Sequence, residues 1–220
     1  MNIGVIILAR ANFGRWPDKV LYKLQGKTIL EHVIRKAKTL DVDTVIVSTT
    51  DSIEDQVIRN IAWDQGVEIS RGEPDNRTDR VCKAIKDYNL DYFVNMSPAT
   101  PFFDVDYTQI LIETLKKHPD CDMYGMTHFS NHYVPYIINS TIPFRNQNDD
   151  QEIYIDKTGM NIYYKWGFEE PEVRNRYLYN GNIAYRIQAD NHRRICEYLG
   201  HFPVNYDEIV KALNGMQDFS

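Results

Sequence analysis

Apolar runs and amphipathic segments alternate along the first half of the chain. The run at 3–8 is apolar and β-branched without polar alternation, which is typical of a strand buried on both faces of a parallel sheet. Runs at 44–50 and 92–96 have the same character, and residues 67–70 predict a shorter strand. Four buried strands are therefore expected before residue 100.

Helical periodicity occupies the intervals between these runs. Thr28 is followed three residues later by Glu31, so the pair predicts a capping box that opens the first helix. Asp51 or Ser52 is expected to cap a second helix. Its predicted core-facing residues are Ile53, Val57, Ile58 and Ile61.

Two more helices are predicted at 76–88 and 108–117. Strands and helices that alternate in this way predict an α/β fold, with a mostly parallel sheet and helices on both faces. The chain of 220 residues is long enough for one well-filled core, so we expect a single domain over 1–220.

The alternation weakens from about residue 122. Residues 122–138 predict one or two strands, whereas 139–176 are polar and loop-rich. We interpret residues 122–180 as an irregular, β-rich excursion from the sheet, such as a dimerisation arm. A late strand at 182–186 and helices at 190–199 and 207–213 are expected after it.

Charge and cysteine content exclude several functions. The net charge is −6 and no stretch is dense in Lys and Arg, so we expect no nucleic-acid partner. Three widely spaced cysteines without a CxxC pair predict neither a disulfide framework nor a zinc site. No segment approaches the ~20 apolar residues of a membrane span, and no signal peptide is recognised, so no membrane association and a cytoplasmic location are expected.

The loop after the first strand carries the candidate chemistry. Arg10, Arg15 and Lys19 lie within ten residues, and Gly14 and Pro17 bend the chain between them. Ligands of open α/β sheets bind at the carboxyl ends of the strands, and three cations there suit a polyphosphate. A solvated basic loop is the alternative that the spacing leaves open.

Several stretches together resemble one enzyme family. Residues 9–19 resemble the A-R-x-x-S-x-R-x-P-x-K loop of the CMP-sugar synthetases, the cytidylyltransferases that activate Kdo and sialic acid, and spore-coat polysaccharide cytidylyltransferase-like proteins share this loop. Residues 21–30 match its continuation. Weaker similarities are T-D-R at 78–80, V-N-x-Q-G-D-x-P around 94–101, G-I-Y-A-Y-R at 181–186 and V-D-T-P-E-D-L at 204–207.

The resemblance implies a Rossmann-like nucleotidyltransferase fold of the GT-A-like type, usually in a homodimer. It implies that a sugar, expected to be an acidic one, reacts with CTP to give a CMP-sugar and pyrophosphate for surface polysaccharide biosynthesis. By position, Arg10, Arg15 and Lys19 would be the catalytic cations that hold the triphosphate. The other nucleotide-binding positions would be Leu8, Ala9, Arg71, Arg80 and Ser97.

The resemblance also implies Mg²⁺ held by two carboxylates, but those positions carry Ala99 and Asn205. Asp104 and Asp207 are the nearest substitutes as metal ligands. Asp104 and Asp106 also form a D-x-D pair, which many sugar-nucleotide glycosyltransferases use to bind a metal. The simpler alternative is that one of these two aspartates caps the next helix.

Three functional hypotheses therefore remain at the level of the sequence. The first is a cytidylyltransferase that binds CTP, or another nucleotide, together with a sugar. The second is a nucleotide- or sugar-nucleotide-binding relative, altered in catalysis by the loss of carboxylates at Ala99 and Asn205. The third is a glycosyltransferase that uses Asp104 and Asp106.

Overall fold

A computed structural model of the protein describes residues 1–11, 18–117, 119, 123–125, 134–141, 143, 189–202 and 206–215. Its strands are β1 (Ile3–Leu8), β2 (Lys23–Leu24), β3 (Lys27–Thr28), β4 (Thr44–Thr50), β5 (Glu68–Gly72), β6 (Tyr92–Met96), β7 (Met123–Tyr124) and β8 (Ile137–Asn139). Its helices are α1 (Ile29–Ala37), α2 (Gln56–Asp64), α3 (Arg77–Tyr88), α4 (Val105–Lys117), α5 (Ala189–Leu199) and α6 (Tyr206–Gly215).

The main sheet has the strand order β5-β4-β1-β6-β8-β7. Strands β5, β4, β1 and β6 are parallel, whereas β8 runs antiparallel to both β6 and β7. Strand β1 is central, because it pairs with β4 on one side and with β6 on the other. The predicted α/β fold with a mostly parallel sheet is confirmed.

Two apolar cores lie on the two faces of this sheet. On one face, α1, α2 and α4 pack against Val5 and Ile7 of β1. On the other face, α3 packs against Ile6 of β1 and Phe93 of β6. Both faces of β1 are thus covered, which explains why its sequence is apolar without alternation.

Helix α1 begins with the capping box that the sequence predicts. The Thr28 hydroxyl accepts a hydrogen bond from the Glu31 N–H at 3.1 Å, and the Glu31 carboxylate accepts one from the Thr28 N–H at 2.6 Å. The predicted capping box is therefore confirmed. The hairpin β2–β3 that precedes it turns through Gln25 and Gly26, both with positive φ, as a two-residue hairpin turn requires.

The start of α2 differs from the prediction. Ser52 makes no side-chain cap bond and precedes a 3₁₀ turn, Ile53–Asp55, before the α-helix begins. The tighter turn changes the helical phase between Ile53 and the residues of α2. Ile53 is 79% exposed and Val57 38% exposed, so their expected burial was wrong, whereas Ile58 is fully buried.

The remaining boundaries are close to the predicted ones. Helix α4 begins three residues earlier than expected, at Val105. Strands β7 and β8 account for the one or two strands predicted at 122–138. The late strand predicted at 182–186 and most of the excursion at 122–180 lie outside the described residues. Among the described helices, none is long and apolar enough to cross a membrane.

A buried histidine joins α1 to the C-terminal part of the chain. The carbonyl of Leu24 lies 2.7 Å from His32 Nε2, and since a carbonyl can only accept, this nitrogen carries the proton. The His32 ring stacks on Phe202 at 3.8 Å between centroids, and Phe202 packs against Phe102 at 5.4 Å. The segment between α5 and α6 is thereby held against α1 and the β6–α4 connection.

We expect this histidine to make stability depend on pH. Burial lowers the pKa of His32 from its ordinary 6.5, so the folded state binds its proton less readily than the unfolded state does. Its stabilising effect is therefore complete above pH 6.5 and is lost as the pH falls below that value toward the folded pKa.

Urea unfolding of the wild type and of His32→Gln between pH 5 and 8 tests this expectation. The glutamine amide can still donate to the Leu24 carbonyl, but it does not titrate. The loss of unfolding free energy on acidification should be smaller in the variant. Equal losses in both proteins would contradict the assignment to His32.

Candidate functional site

The carboxyl ends of the four parallel strands meet at one edge of the sheet. The connections that leave this edge follow Leu8 of β1, Thr50 of β4, Gly72 of β5 and Met96 of β6. Open α/β sheets bind their ligands at this edge. Six of the predicted site residues lie in or beside these strand ends: Leu8, Ala9, Arg10, Arg71, Arg80 and Ser97.

Two arginines converge at this edge although they are 70 positions apart in the sequence. Arg10 Nη1 donates to the carbonyl oxygen of Pro74 at 2.5 Å, and Arg80 Nη1 donates to the same oxygen at 2.8 Å. Arg10 also lies 3.6 Å from the carboxylate of Asp75, which is fully exposed. Two guanidinium groups thus share one neutral acceptor.

This pair of guanidinium groups is largely buried, and Asp55 and Asp75 offset part of its positive charge. Arg80 is 6% exposed, and its Nε has no hydrogen-bond partner among the described residues. Burial lowers the pKa of Arg80, and the Arg10 guanidinium lowers it further, whereas Asp55 acts in the opposite direction. Such a cluster attracts an anion, because a bound anion relieves the repulsion between the two guanidinium groups.

Gly72 allows Arg80 to approach β5. A Cβ built on Gly72 would lie 3.0 Å from Arg80 Cγ and 3.3 Å from Asp79 Oδ2. A side chain at this position would therefore press on the buried arginine. The absence of a side chain at Gly72, the last residue of β5, therefore lets Arg80 lie close to the strand.

Lys19 belongs to the same region through the backbone of its loop. The Asp18 N–H donates to the Ala11 carbonyl at 3.0 Å, so the chain enters and leaves the intervening segment at neighbouring points. Lys19 then opens a 3₁₀ turn, Lys19–Leu21, and burial lowers its pKa. Arg15 lies outside the described residues, and its predicted role stays a prediction.

The other predicted nucleotide-binding residues occupy the flanks of this edge. Arg71 Nη1 forms an ion pair with Asp51 at 3.0 Å, and both side chains are largely exposed. The Ala9 N–H donates to the Ser48 carbonyl at 2.9 Å, which extends the pairing of β1 with β4 by one residue. The Ser97 carbonyl accepts a hydrogen bond from the Thr100 hydroxyl at 3.1 Å in the turn after β6.

One buried carboxylate at this edge, that of Asp55, was not predicted from the sequence. Asp55 is 3% exposed and accepts hydrogen bonds from the Ala11 N–H at 2.6 Å and from the Thr50 hydroxyl at 2.5 Å. It was missed because α2 was expected to begin at Asp51 or Ser52, which would have made Asp55 an ordinary helical residue. A carboxylate within five residues of a buried strand's end is the signal that could have identified it.

Of the two positions where the family resemblance implies a magnesium carboxylate, the described residues include one. Ala99 offers no ligand, and the Asp104 carboxylate accepts a hydrogen bond from the Tyr107 N–H at 2.9 Å, which confirms that it caps the following helix. Within the described ranges, no group of three His, Cys, Asp or Glu could hold a metal ion. Asn205 and the Asp207 side chain lie outside them, so metal binding by Asp104 and Asp207 stays a prediction.

The D-x-D pair also has a buried cation beside it. Lys36 Nζ donates to the Phe103 carbonyl and lies 4.7 Å from the centroid of the Phe103 ring. Burial lowers the pKa of Lys36 to about 8, while the charges of Asp104 and Asp106 act in the opposite direction. These contacts attach the β6–α4 connection to α1.

Comparisons with known proteins agree with this architecture. The model of a family described as cytidylyltransferase matches residues 4–211. The chain is 23% identical over 217 residues to a 3-deoxy-manno-octulosonate cytidylyltransferase from Alteromonas mediterranea, covering 95% of this chain and 84% of that protein. The resemblance inferred from the sequence motifs is therefore confirmed.

Two solved structures share the fold. A cytidylyltransferase from Leptospira borgpetersenii aligns over all of both chains with a TM-score of 0.79 at 19% identity. CMP:2-keto-3-deoxy-manno-octonic acid synthetase in complex with CTP aligns with a TM-score of 0.58 at 14% identity, covering 80% of this chain and 96% of that one. The nucleotidyltransferase α/β fold predicted from the sequence is confirmed.

The cationic cluster predicts binding of inorganic pyrophosphate. Loss of one charged donor in Arg10→Met should weaken this binding by about tenfold, as expected for a charge-assisted hydrogen bond. Isothermal titration calorimetry at low and high salt would measure the effect.

Lys38→Met is the matched control, because it removes the same charge from the end of α1, where Lys38 Nζ donates to the Gln65 carbonyl. Pyrophosphate affinity that falls equally in both variants would show that net charge, rather than the cluster at the strand ends, is responsible.

Proposed function

The chain belongs to the cytidylyltransferase family, and we propose that it transfers the cytidylyl group of CTP to the hydroxyl of an acidic sugar of the Kdo type. The observation that carries this proposal is the convergence of Arg10 and Arg80 on the Pro74 carbonyl at the carboxyl edge of the sheet. A triphosphate supplies the several anionic oxygens that such a cluster can bind.

The proposed reaction is a substitution at the α-phosphorus of CTP. The sugar oxygen forms a bond to phosphorus, the bond from phosphorus to the bridging oxygen breaks, and pyrophosphate leaves. The hydroxyl proton passes to solvent. Negative charge grows on the departing pyrophosphate, and cations already positioned at that charge lower the barrier.

Within this scheme Arg10, Arg15 and Lys19 bind the β- and γ-phosphates, and Arg80 supports Arg10 from the interior. The main chain at Leu8 and Ala9, together with Arg71 and Ser97, flanks the nucleotide. Magnesium, when it accompanies the nucleotide, supplies charge neutralisation at the phosphates. Family carboxylates for it are replaced at Ala99 and Asn205, so no step of this scheme is assigned to the metal.

The proposed sugar substrate derives from the names of relatives. A curated relative that covers 95% of this chain is named for 3-deoxy-manno-octulosonate, which is Kdo. Others, covering 70% of it, are named for the 8-amino-3,8-dideoxy form of the same sugar acid. These names support an acidic eight-carbon sugar as the substrate. We further propose that the enzyme acts in surface polysaccharide biosynthesis as a cytoplasmic homodimer, as the resemblance of its motifs to the CMP-sugar synthetases implies.

Pyrophosphate release tests the activity. The purified protein is incubated with CTP, Mg²⁺ and either Kdo, sialic acid or a neutral hexose. We expect release with an acidic sugar and CTP, and much less with ATP or GTP. Lys19→Met should lower kcat/KM by about a hundredfold or more through loss of a charge-stabilising cation, while Lys38→Met should remain close to the wild type.

The other hypotheses predict different outcomes of the same experiment. CTP binding without turnover under any condition would contradict the proposed activity and leave a nucleotide-binding relative, as Ala99 and Asn205 suggest. Sugar transfer from a nucleotide donor that is lost in Asp104→Ala would indicate a glycosyltransferase instead.

A further inference from the structure

The buried carboxylate of Asp55 connects two of the strand ends that form the cationic edge. One oxygen accepts from the Ala11 N–H at 2.6 Å, directly after Arg10, and the other accepts from the Thr50 hydroxyl at 2.5 Å, at the end of β4. Thr50 is fully buried. Both oxygens of this buried carboxylate therefore attach the loop after β1 to the end of β4.

Further hydrogen bonds hold Thr50 and the chain that follows β4 in place. The Thr50 hydroxyl also accepts a hydrogen bond from the Ser52 N–H at 3.1 Å. Arg59 Nη1 donates to the Thr50 carbonyl at 2.6 Å and to the Ser52 carbonyl at 3.1 Å. Several hydrogen bonds thus hold the connection from β4 into α2 in one conformation. Because Asp55 belongs to this connection, its bond to the Ala11 N–H fixes the backbone beside Arg10 as well.

The charge of Asp55 and its hydrogen bond to Ala11 are expected to have opposite effects on the affinity for an anionic ligand. A negative charge near the cationic cluster repels phosphate by Coulomb's law and offsets part of the charge on Arg80. The bond to the Ala11 N–H, in contrast, holds the backbone beside Arg10 in one conformation. A preorganised cation binds its ligand without a further ordering cost.

We propose that Asp55 is a positioning residue for the nucleotide, which holds the Ala11 amide so that the Arg10 guanidinium is set in place before CTP binds. This proposal rests on the proposed function. Asp55 acts through the Ala11 backbone and need not touch the ligand. Its positioning effect outweighs the repulsion that its own charge exerts on the triphosphate.

Three variants separate these effects. Asp55→Ala removes both hydrogen bonds and the charge. Asp55→Asn removes the charge but keeps both contacts, since its amide oxygen can accept from Ala11 and its NH₂ group can donate to the Thr50 hydroxyl, which reverses the direction of that one bond. Asp43→Ala is the matched control, because Asp43 accepts from the Ile3 N–H at 2.7 Å at the opposite end of β1.

The affinity for CTP, measured by calorimetry on protein that unfolds cooperatively, gives the readout. Asp55→Ala should weaken CTP binding by about tenfold or more, because a displaced donor loses most of its contribution. Asp55→Asn should bind CTP as tightly as the wild type or slightly more tightly. Asp43→Ala should lose stability while its CTP affinity stays unchanged.

Unchanged or tighter CTP binding by Asp55→Ala would overturn the proposal, as would equal weakening in Asp43→Ala. If Asp55→Ala does not fold, Asp55→Asn and Thr50→Val decide. Thr50→Val, which frees one carboxylate oxygen, should weaken binding by about threefold, and strong weakening in Asp55→Asn would contradict the proposal. A wild type that fails to bind CTP would contradict the proposed function instead.

Discussion

The position of β1 is the constraint on which the rest of the structure depends. It pairs with β4 and β6 and is covered by helices on both faces, so it has no freedom to shift its register. A carboxylate holds the backbone near each end of β1: Asp43 accepts from the N–H of its first residue, Ile3, and Asp55 accepts from the N–H of Ala11 in the loop that follows the strand. The point at which Arg10 leaves the sheet is therefore determined by the core.

The site is built from charges that the fold places close together at some energetic cost. Arg10 and Arg80 share the Pro74 carbonyl, and Arg80 is buried. The Asp75 carboxylate lies nearby but is fully exposed, so it compensates little of this charge. The buried Asp55 carboxylate offsets part of the charge on Arg80. A polyphosphate bound here would add negative charge beside both guanidinium groups, which makes the edge suitable for such a ligand.

Much of the fold could be predicted from the sequence, because its signals are local. Strands β4 and β6 lie where their apolar runs predicted them, and the Thr28–Glu31 capping box is present. The 3₁₀ turn before α2 was missed because nothing in its apolar spacing distinguishes it from the first turn of an α-helix. Its presence exposes Ile53 and makes Asp55 part of the site.

Sequence motifs could indicate the cations of the site but not their arrangement. Arg10 and Lys19 were predicted from the loop after β1, whereas the meeting of Arg10 with Arg80 depends on the pairing of β4 with β5 and on the turn through Pro74. Contacts between distant segments of this kind follow from topology rather than from local pattern. Capping of α4 by Asp104 was one of two open alternatives, and the hydrogen bond from the Tyr107 N–H to the Asp104 carboxylate confirms the cap, while metal binding by Asp104 stays a prediction.

The crystal structure of the protein with CTP would test the central claim most directly. We predict that the phosphate oxygens lie within hydrogen-bonding distance of the Arg10 guanidinium and of Lys19 Nζ, with Asp55 still bonded to the Ala11 N–H. The account would be contradicted by a triphosphate bound away from the carboxyl edge of the sheet, with Arg10 contacting Pro74 and Asp75 but no phosphate.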